Sequence, residues 1–325
     1  MAFDKEILRE IRVRIDRRRI AAEEDAKLRL LEIHDKIPRI AEIDRELRLT
    51  PVEIVRAAFA RREDAGKELE KAKVKNLTLQ KERENLLTAN GFSPDYLDVH
   101  YTCTKCEDTG YIDGTRPCEC LLEEYKKEQV KKLKTDFGFE LRGFDAVKPE
   151  YQSDDRNENP ISPCESMRIN LRLCRQYAEK YGEDTKNLFI TGGAGIGKTL
   201  LASCIAFEVA KRGFSVKYGT AFDILGDFEE KKFNRDANDD IIEDYKKADL
   251  LIIDDLGTEM ITQFTTAALY NLITTREVAG KGTIIISPLS LAEIATKYTP
   301  QIKSRLEGFV PISIFGEDIR KKLGK

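Results

Sequence analysis

The sequence lacks the two features that most directly place a protein at or beyond a membrane. It contains no run of about 18 apolar residues, the length that a membrane-spanning helix needs, so no membrane span is predicted. Its N-terminal stretch is charged and has no apolar core, which is unlike a secretory signal. We therefore expect a cytoplasmic protein without a membrane partner.

A large excess of charge of one sign is also absent. The chain has 55 basic and 58 acidic residues, for a formal net charge of −3. It is not predicted to bind polyanions through its bulk charge, so any contact with nucleic acid must come from a local basic patch.

The composition is that of a folded protein with long exposed helices. The 325 residues are 41% hydrophobic, which is enough for folded cores, and 35% charged. This length favours two domains, with room for a third small module.

Four of the seven cysteines cluster in one short segment. Cys103 and Cys106 form a Cys-x2-Cys pair, and Cys118 and Cys120 form a tighter Cys-x-Cys pair eleven residues later. In a reducing compartment such a cluster is more typical of a metal site than of disulfides. Because tetrahedral zinc binds four thiolates that lie close together, the pattern predicts a structural zinc site. Cys120 is the weakest ligand by spacing and His100 is a substitute for it. Free thiols or a redox pair are the alternative.

The chain divides into four predicted segments. Residues 1–91 are helical in pattern, and residues 92–134 hold the cysteines and a basic helix. Residues 135–165 are polar and rich in helix breakers and are predicted to be a linker. Residues 166–325 alternate strands with helices, which predicts an α/β domain built on a parallel sheet covered on both faces.

Two prolines mark expected helix boundaries in the first segment. Pro38 is expected to end or kink the first helix. Thr50 and Pro51 are expected to begin the next, with Glu53 as the capping partner of Thr50, and this helix is expected to run to about Ala89. The segment is interpreted either as a partner-binding module or as a plain charged hairpin or coiled coil.

A glycine-rich loop lies between a predicted strand and a predicted helix. Its residues are Gly192, Gly193, Ala194, Gly195, Ile196, Gly197, Lys198 and Thr199, with Leu200 next in the helix. Glycines let backbone amides approach phosphates, and a helix N-terminus adds partial positive charge. The spacing is that of a P-loop, in which Lys198 reaches the terminal phosphates of ATP and the Thr199 hydroxyl binds Mg²⁺. A chance match is the alternative.

Two acids follow a predicted strand downstream of this loop. The apolar strand Leu250–Asp254 ends in Asp254, and Asp255 comes next. We expect Asp254 to hold the Mg²⁺ shell and Asp255 to polarise the attacking water as a general base. The alternative is a pair of solvated acids that begin a turn before Gly257.

In their order along the chain, these features resemble a known family. The segments that carry the resemblance are Cys103–Tyr111, Cys118–Cys120, the P-loop, Asp254–Glu259, Ser304–Leu306 and Gly316–Arg320. Over nearly the whole chain they resemble the bacterial replicative-helicase loaders of the DnaC/DnaI type, which are AAA+ ATPases. The ATPase motifs alone are shared with IstB-type transposition helpers, whereas the cysteine segment joined to them is more specific.

The resemblance implies roles that spacing does not show. Arg305 matches the family position of an arginine finger, which reaches the ATP of a neighbouring subunit. Arg320 matches a sensor arginine that contacts the nucleotide, and Glu259 is implied to shape the subunit junction. A surface salt bridge for Arg305 and a generic basic tail for Arg320 are the alternatives.

One position departs from the family pattern. The family commonly ends its fourth strand with Thr-Asn, a polar pair that positions the water, whereas this chain has Ser287 and Pro288 there. Ser287 is the expected substitute, and hydrolysis is expected to be slow.

The resemblance also implies that the ATPase domain binds single-stranded DNA. The segment from Thr220 to Asn238 combines aromatic residues for base stacking with cations for phosphates. They are Phe222, Phe228, Phe233, Lys231, Lys232 and Arg235. An amphipathic helix that packs its phenylalanines is the alternative.

We therefore predict an ATP-dependent loader of a hexameric replicative DNA helicase onto single-stranded DNA. Its predicted cofactors are ATP, Mg²⁺ and Zn²⁺, and it is expected to self-associate through the AAA+ domain. The alternatives are an IstB-like ATPase that assists a transposase and a zinc-bearing ATP-binding scaffold with little turnover.

Overall fold

The computed structural model describes residues 3–59, 65–156, 158–183, 185–234 and 239–322. The chain forms two compact units, a larger one of Met1–Ile11 and Glu119–Lys325 and a smaller one of Arg12–Cys118. No helix among the described residues is long and apolar enough to cross a membrane. The four-segment division made from sequence stays a prediction.

The smaller unit is mainly helical. The chain's first three helices are α1 (Lys5–Lys36), α2 (Pro38–Phe59) and α3 (Ala65–Ala89), and a short antiparallel pair follows, β1 (Tyr111–Ile112) and β2 (Arg116–Pro117). Apolar residues from the helices and the following loop form a buried cluster: Ile33, Ile37, Ile40, Leu87 and Leu97. These helices therefore have a core of their own.

Of the predicted helix boundaries in this region, one is wrong. α1 ends at Lys36 and α2 begins at Pro38, as expected, and α3 ends at Ala89. Thr50 and Pro51, however, lie inside α2, where the Thr50 hydroxyl donates to the Glu46 carbonyl 3.3 Å away. An internal proline removes one backbone hydrogen bond, and this helix continues through that loss. The predicted capping partner, Glu53, has a side chain outside the described part.

The larger unit is an α/β domain with a five-stranded parallel sheet in the order β4-β5-β6-β3-β7. Its strands are β3 (Leu188–Thr191), β4 (Val216–Thr220), β5 (Leu250–Asp254), β6 (Gly282–Ser287) and β7 (Val310–Ser313). Its helices are α4 (Glu119–Phe137), α5 (Pro163–Glu179), α6 (Lys198–Lys211), α7 (Ala221–Phe233), α8 (Asp239–Lys247), α9 (Gln263–Val278), α10 (Leu291–Lys297), α11 (Pro300–Glu307) and α12 (Ile319–Lys322). The predicted fold class is confirmed.

The central strands β3, β5 and β6 are mostly apolar runs because helices cover both faces of the sheet. In β5, Leu250 and Ile252 belong to one buried cluster, whereas Leu251 and Ile253 belong to the cluster on the opposite face. Successive side chains of a strand point to opposite faces, so both sets are apolar when both faces are covered.

Part of the predicted linker is packed into the first of these clusters. Short 3₁₀ helices at Phe144–Ala146 and Pro149–Tyr151 occupy this stretch. Leu141, Phe144 and Val147 are buried together with Phe137 of α4. These residues therefore contribute to the core of the α/β domain.

One buried cation joins several elements of this domain. Arg276 of α9 is fully buried, and its guanidinium donates to the carbonyls of Tyr245 at 2.6 Å, Ala248 at 2.9 Å and Gly282 at 2.6 Å. Its Nε donates to the Thr283 hydroxyl at 3.1 Å. Burial lowers the pKa of Arg276 to about 10, so it stays charged at neutral pH. It holds the end of α8 and the starts of β5 and β6 together.

The start of α1 is fixed within the larger unit by a buried carboxylate. Asp4 Oδ1 accepts from the amides of Glu6 and Ile7, which caps the helix. Asp4 Oδ2 lies 2.7 Å from Lys217 Nζ on β4 and 3.4 Å from Lys132 Nζ on α4. Burial alone raises the pKa of Asp4, but the hydrogen bond and charge of Lys217 outweigh it, so this pKa lies below its ordinary value.

We predict that Asp4→Asn destabilises the fold in a pH-dependent way. Asparagine still caps a helix, so the change isolates the charge. Because the folded-state pKa is lowered from 3.8, the ionised carboxylate stabilises the fold at neutral pH, and this is lost as the pH falls through the lowered pKa. We expect a loss of about 2 kcal/mol in the free energy of unfolding near neutral pH, which begins to shrink below the ordinary pKa of 3.8 and vanishes only once the pH is below the lowered pKa.

Urea denaturation at a series of pH values measures this difference. The matched control is Asp240→Asn, which breaks an exposed pair with Lys5 and should change stability by less than about 0.5 kcal/mol. A loss for Asp4→Asn that stayed constant down to acidic pH would show that charge is not its origin.

Candidate nucleotide-binding site and metal centre

The glycine-rich loop and the paired acids meet at one edge of the sheet. The loop follows β3, and Asp254 ends β5, with β6 lying between these two strands. All the strands are parallel, so their carboxyl ends lie along the same edge, where α/β proteins bind their ligands.

The loop glycines are required by close backbone contacts. Gly192 has φ +142°, and a Cβ there would lie 2.0 Å from the Ile314 carbonyl oxygen. Gly195 has φ +70°, and a Cβ there would lie 1.9 Å from Asp318 Oδ1. A side chain at Gly192 would force the backbone at Ile314 away, and one at Gly195 would displace the Asp318 carboxylate. The loop is therefore shaped by its own backbone and by the residues that follow β7.

The start of α6 offers its backbone amides at the end of this loop. The first intrahelical bond runs from Leu201 N to the Gly197 carbonyl at 3.0 Å, so the amides of Lys198, Thr199 and Leu200 precede it. Such amides and the helix dipole suit a phosphate. The Leu200 side chain itself packs against the core, so its contribution to a ligand is its amide.

Lys198 lies over the loop and is nearly buried. Its ammonium donates to the carbonyls of Gly192 at 2.8 Å and Gly193 at 2.6 Å. Burial lowers its pKa, and the charges of Asp255 and Asp254 oppose that shift. The structure thus brings the lysine and both acids within electrostatic reach of one another.

The Asp254 carboxylate accepts three hydrogen bonds. Its Oδ2 accepts from the Thr199 hydroxyl at 2.9 Å and from the Tyr218 hydroxyl at 3.1 Å, and its Oδ1 accepts from the Asp255 amide at 2.8 Å. Burial raises the pKa of Asp254, and these bonds act against that rise. The Thr199 hydroxyl and the Asp254 carboxylate thus lie side by side, and both are oxygen ligands of the kind that Mg²⁺ binds.

Asp255 is exposed and has a left-handed backbone with φ +54°. The turn after it is fixed to β6, because Leu256 N donates to the Ile286 carbonyl at 2.9 Å. Ser287 is fully buried, donates its hydroxyl proton to the Leu256 carbonyl at 2.6 Å and accepts from Leu289 N at 3.0 Å. The Ser287 hydroxyl is thus engaged with the loop that carries Asp255.

Glu259 supports the same turn. Its carboxylate accepts from the Gly257 amide at 2.8 Å and from the Tyr298 hydroxyl, and Lys297 donates to the Gly257 carbonyl. The turn after β5 is therefore held by residues at the end of α10.

Arg320 and Arg305 lie on different parts of the domain surface. Arg320 is exposed and forms a two-point pair with Asp318, at 3.1 and 3.0 Å. Its neighbour Ile319 donates its amide to the Gly195 carbonyl at 3.0 Å, which places the segment against the P-loop. Arg305 of α11 donates to Glu277 and to the Tyr270 hydroxyl, both at 3.2 Å, and its side chain stays 40% exposed.

The four clustered cysteines converge. Their sulfurs all lie within 4.8 Å of one another, and those of Cys103 and Cys118 are 3.8 Å apart. In a tetrahedral site with Zn–S bonds of about 2.3 Å, ligand sulfurs are about 3.8 Å apart, so this group fits zinc. His100 lies outside the group, which is composed of cysteines alone.

Asp108 shapes the first cysteine pair. It is fully buried at φ +51°, and its carboxylate accepts from the amides of Thr102 at 2.8 Å and Cys103 at 3.0 Å. The same carboxylate lies 2.9 Å from an Arg18 guanidinium nitrogen. It therefore fixes the loop that presents Cys103 and anchors that loop to α1.

Sequence reasoning did not identify Tyr218, Asp318 or Asp108. Tyr218 stands two residues before the end of a strand whose register places Thr220 beside Asp254, so a polar side chain near a strand's carboxyl end was an available signal. Asp318 belongs to the segment Gly316–Arg320, but its proximity to Gly195 is a tertiary contact that the sequence does not reveal.

The parallel sheet and the glycine-rich loop at its edge are those of a P-loop nucleotide-binding domain. Residues 170–301 match the family described as IstB-like ATP binding protein. This match covers the loop, both acids and Ser287.

Two proteins of DNA replication are similar to part of the chain. The chain is similar to the replicative helicase loader DnaC of Escherichia coli (strain K12), being 24% identical over 150 residues that cover 46% of this chain and 61% of DnaC. It is also similar to the chromosomal replication initiator protein DnaA of Aliarcobacter butzleri (strain RM4018), being 30% identical over 145 residues that cover 44% of this chain and 32% of DnaA. The chain thus spans less than two thirds of the length of either relative.

Among solved structures, a crystal structure of DnaI aligns with a TM-score of 0.45 and 22% identity over 57% of this chain and 93% of that one. The matches to the IstB-like family and to DnaC confirm the predicted resemblance to DnaC/DnaI-type AAA+ proteins with IstB-like relatives. The roles of individual site residues stay proposals.

We predict that the purified chain carries about one zinc ion per molecule and that Cys118→Ser loses it, because Cys118 is a fully buried member of the cluster. Elemental analysis by mass spectrometry measures the metal. The control is Cys174→Ser, which changes an equally buried cysteine outside the cluster and should keep the zinc. Zinc retained by Cys118→Ser, or absent from the unmodified chain, would contradict a zinc centre.

Proposed function

We propose that this protein is an ATP-dependent loader that places a hexameric replicative DNA helicase onto single-stranded DNA. The observation that carries the proposal is the combination of a P-loop ATP site with a four-cysteine cluster in a chain similar to a replicative helicase loader. The larger unit would bind ATP and DNA, and the helices and cysteines of residues 1–134 would bind the helicase.

ATP binding and turnover are assigned to the residues gathered at the sheet edge. The amides of residues 192–200 and Lys198 would hold the phosphates, and Thr199 with Asp254 would hold Mg²⁺. Asp255 would polarise the attacking water as general base. Because the Ser287 hydroxyl is engaged with Leu256 and Leu289, we propose that Ser287 acts by holding the Asp255 turn and that turnover is slow.

Two arginines would complete the site. Arg320 lies in the segment laid against the loop, and its charge acts on Lys198, so it is suited to contact the nucleotide. Arg305 is partly exposed on α11, where it would reach the ATP of a neighbouring subunit after self-association. Its present partners, Glu277 and Tyr270, would hold it until then.

We predict that Asp255→Asn retains ATP binding but loses ATP hydrolysis by about a hundredfold or more, because general-base catalysis contributes at least that much. Asparagine tolerates the left-handed backbone of this position, so the fold should persist. Phosphate release with and without single-stranded DNA measures the effect. Asp113→Asn is the matched control, since Asp113 is also exposed and has the same φ of +54°.

If Asp255→Asn hydrolysed ATP as fast as the unmodified chain, Asp255 would not be the general base. Binding of ATP without phosphate release under any condition would instead favour an ATP-binding scaffold.

The smaller unit exposes apolar side chains that suit a protein partner. On α1 these are Val13, Ile20, Leu28 and Leu31, and on α3 they are Val74 and Leu77. Exposed apolar patches of this kind mark interaction surfaces in many proteins. We assign the helicase-binding surface to these helices.

DNA binding is assigned to α7 and the start of α9. Phe222 and Phe233 are 67% and 79% exposed, so both are available to stack on bases. Lys232 lies near the rings of Phe233 and Phe264, at 5.4 and 4.2 Å from their centres. Phe228 packs against the core instead, and Arg235 with Asn238 lies outside the described residues.

We predict that the chain co-purifies with the replicative helicase of its host in the presence or the absence of ATP. Substituting Leu28 and Leu31 by Asp, at 65% exposure each, should weaken the complex by about tenfold or more. Val278→Asp changes a residue that is 86% exposed on α9 and serves as the control that keeps binding. No complex under either nucleotide condition would overturn the proposed function.

The IstB-like match supports a second candidate, an ATPase that assists a transposase. In that case the partner would be bound by the larger unit alone, and the Leu28 and Leu31 substitutions would leave partner binding unchanged.

A further inference from the structure

We propose that Tyr218 is a positioning residue for the magnesium-binding carboxylate, whose hydroxyl fixes Asp254 Oδ2 beside the Thr199 hydroxyl. The inference rests on the proposed ATP site and adds a residue that lies outside every motif of that site. Tyr218 and Thr199 donate to the same carboxylate oxygen, at 3.1 and 2.9 Å.

The geometry of the sheet places this hydroxyl at the site. Tyr218 of β4 is in register with Ile252 of β5, and Asp254 lies two residues further on. Residues two apart on a strand share a face, so the tyrosine reaches Asp254 diagonally across the strand pair. Because β4 is an edge strand, the ring approaches from the side of β5 opposite to β6 and the P-loop strand.

The tyrosine ring is itself held firmly. It stacks on Phe137 of α4, with ring centres 3.8 Å apart and planes inclined by 27°. The residue before it, Lys217, pairs with Asp4, which also lies 3.4 Å from Lys132 of α4. The strand and the helix that confine the ring are thus joined by the same carboxylate.

A fixed carboxylate matters because a metal ligand must keep one orientation. Asp254 Oδ1 is held by the Asp255 amide, whereas Oδ2 depends on side-chain donors. Thr199 and Asp254 would hold Mg²⁺, and the Tyr218 hydroxyl would be a donor that keeps the Asp254 carboxylate in its orientation.

The test is the Mg²⁺ dependence of Tyr218→Phe, which removes one hydroxyl and leaves the stacked ring. Affinity for ATP is measured by calorimetry in EDTA and in MgCl₂, and ATP hydrolysis is followed against free Mg²⁺. We expect ATP binding in EDTA to be unchanged within about twofold. The gain in ATP affinity on going from EDTA to MgCl₂ should shrink, and the Mg²⁺ concentration for half-maximal hydrolysis should rise roughly tenfold or more, as for other partners that orient metal ligands.

Tyr245→Phe is the matched control, because its hydroxyl donates to the Asp227 carboxylate at 2.6 Å in the same domain without contact to Asp254. It should resemble Tyr218→Phe in thermal stability and the unmodified chain in Mg²⁺ dependence. Phe137→Leu keeps the Tyr218 hydroxyl but loosens its ring, and should raise the Mg²⁺ requirement several-fold. Phe137→Leu therefore tests the role of Tyr218 even if Tyr218→Phe folds poorly.

A normal Mg²⁺ requirement in Tyr218→Phe would overturn the inference and leave the proposed function standing. A tenfold shift in Tyr245→Phe as well would assign the effect to general loosening and would also overturn it. If the unmodified chain bound no ATP in either buffer, the proposed ATP site itself would fail.

Discussion

The α/β domain depends on a buried positive charge whose hydrogen bonds are accepted mainly by backbone carbonyls. Arg276 enters the interior from α9 and satisfies its guanidinium with carbonyls from the end of α8 and the starts of β5 and β6. A buried charge is stable only when its hydrogen bonds are satisfied. Separating these segments would therefore cost a large free energy, because it would leave the guanidinium without its acceptors. Because the amino ends of β5 and β6 are fixed in this way, their carboxyl ends deliver Asp254 and Ser287 to defined places beside the P-loop strand.

Much of this domain follows from local pattern. The strands are read from short apolar runs, and β5 ends at Asp254 as predicted because the paired acids interrupt its apolar residues. The P-loop is readable because its glycines, lysine and threonine act within eight consecutive positions. The rule that parallel strands gather their carboxyl ends then places the acids near the loop without knowledge of the full topology.

What could not be read from sequence depends on contacts between distant positions. Pro51 has the local signature of a helix start, yet α2 continues through it. Ser287 has the right residue type for a water-positioning group, but only the folded chain reveals that its hydroxyl is engaged with Leu256 and Leu289. Asp318 lies within the segment Gly316–Arg320, but only the folded chain reveals that it occupies the space that a side chain on Gly195 would need. For Ser287 and Asp318, contacts with distant positions decided the outcome, and residue type did not.

The backbone of Asp255 has a consequence for how this protein responds to selection. Its φ of +54° lies in a region that glycine enters freely and that residues with a Cβ enter at a cost of about 1 kcal/mol. Glycine at this position would relieve that cost and, at the same time, remove the carboxylate. A laboratory search for heat-resistant variants would therefore favour loss of the acid, because stability and activity make opposite demands on this one residue.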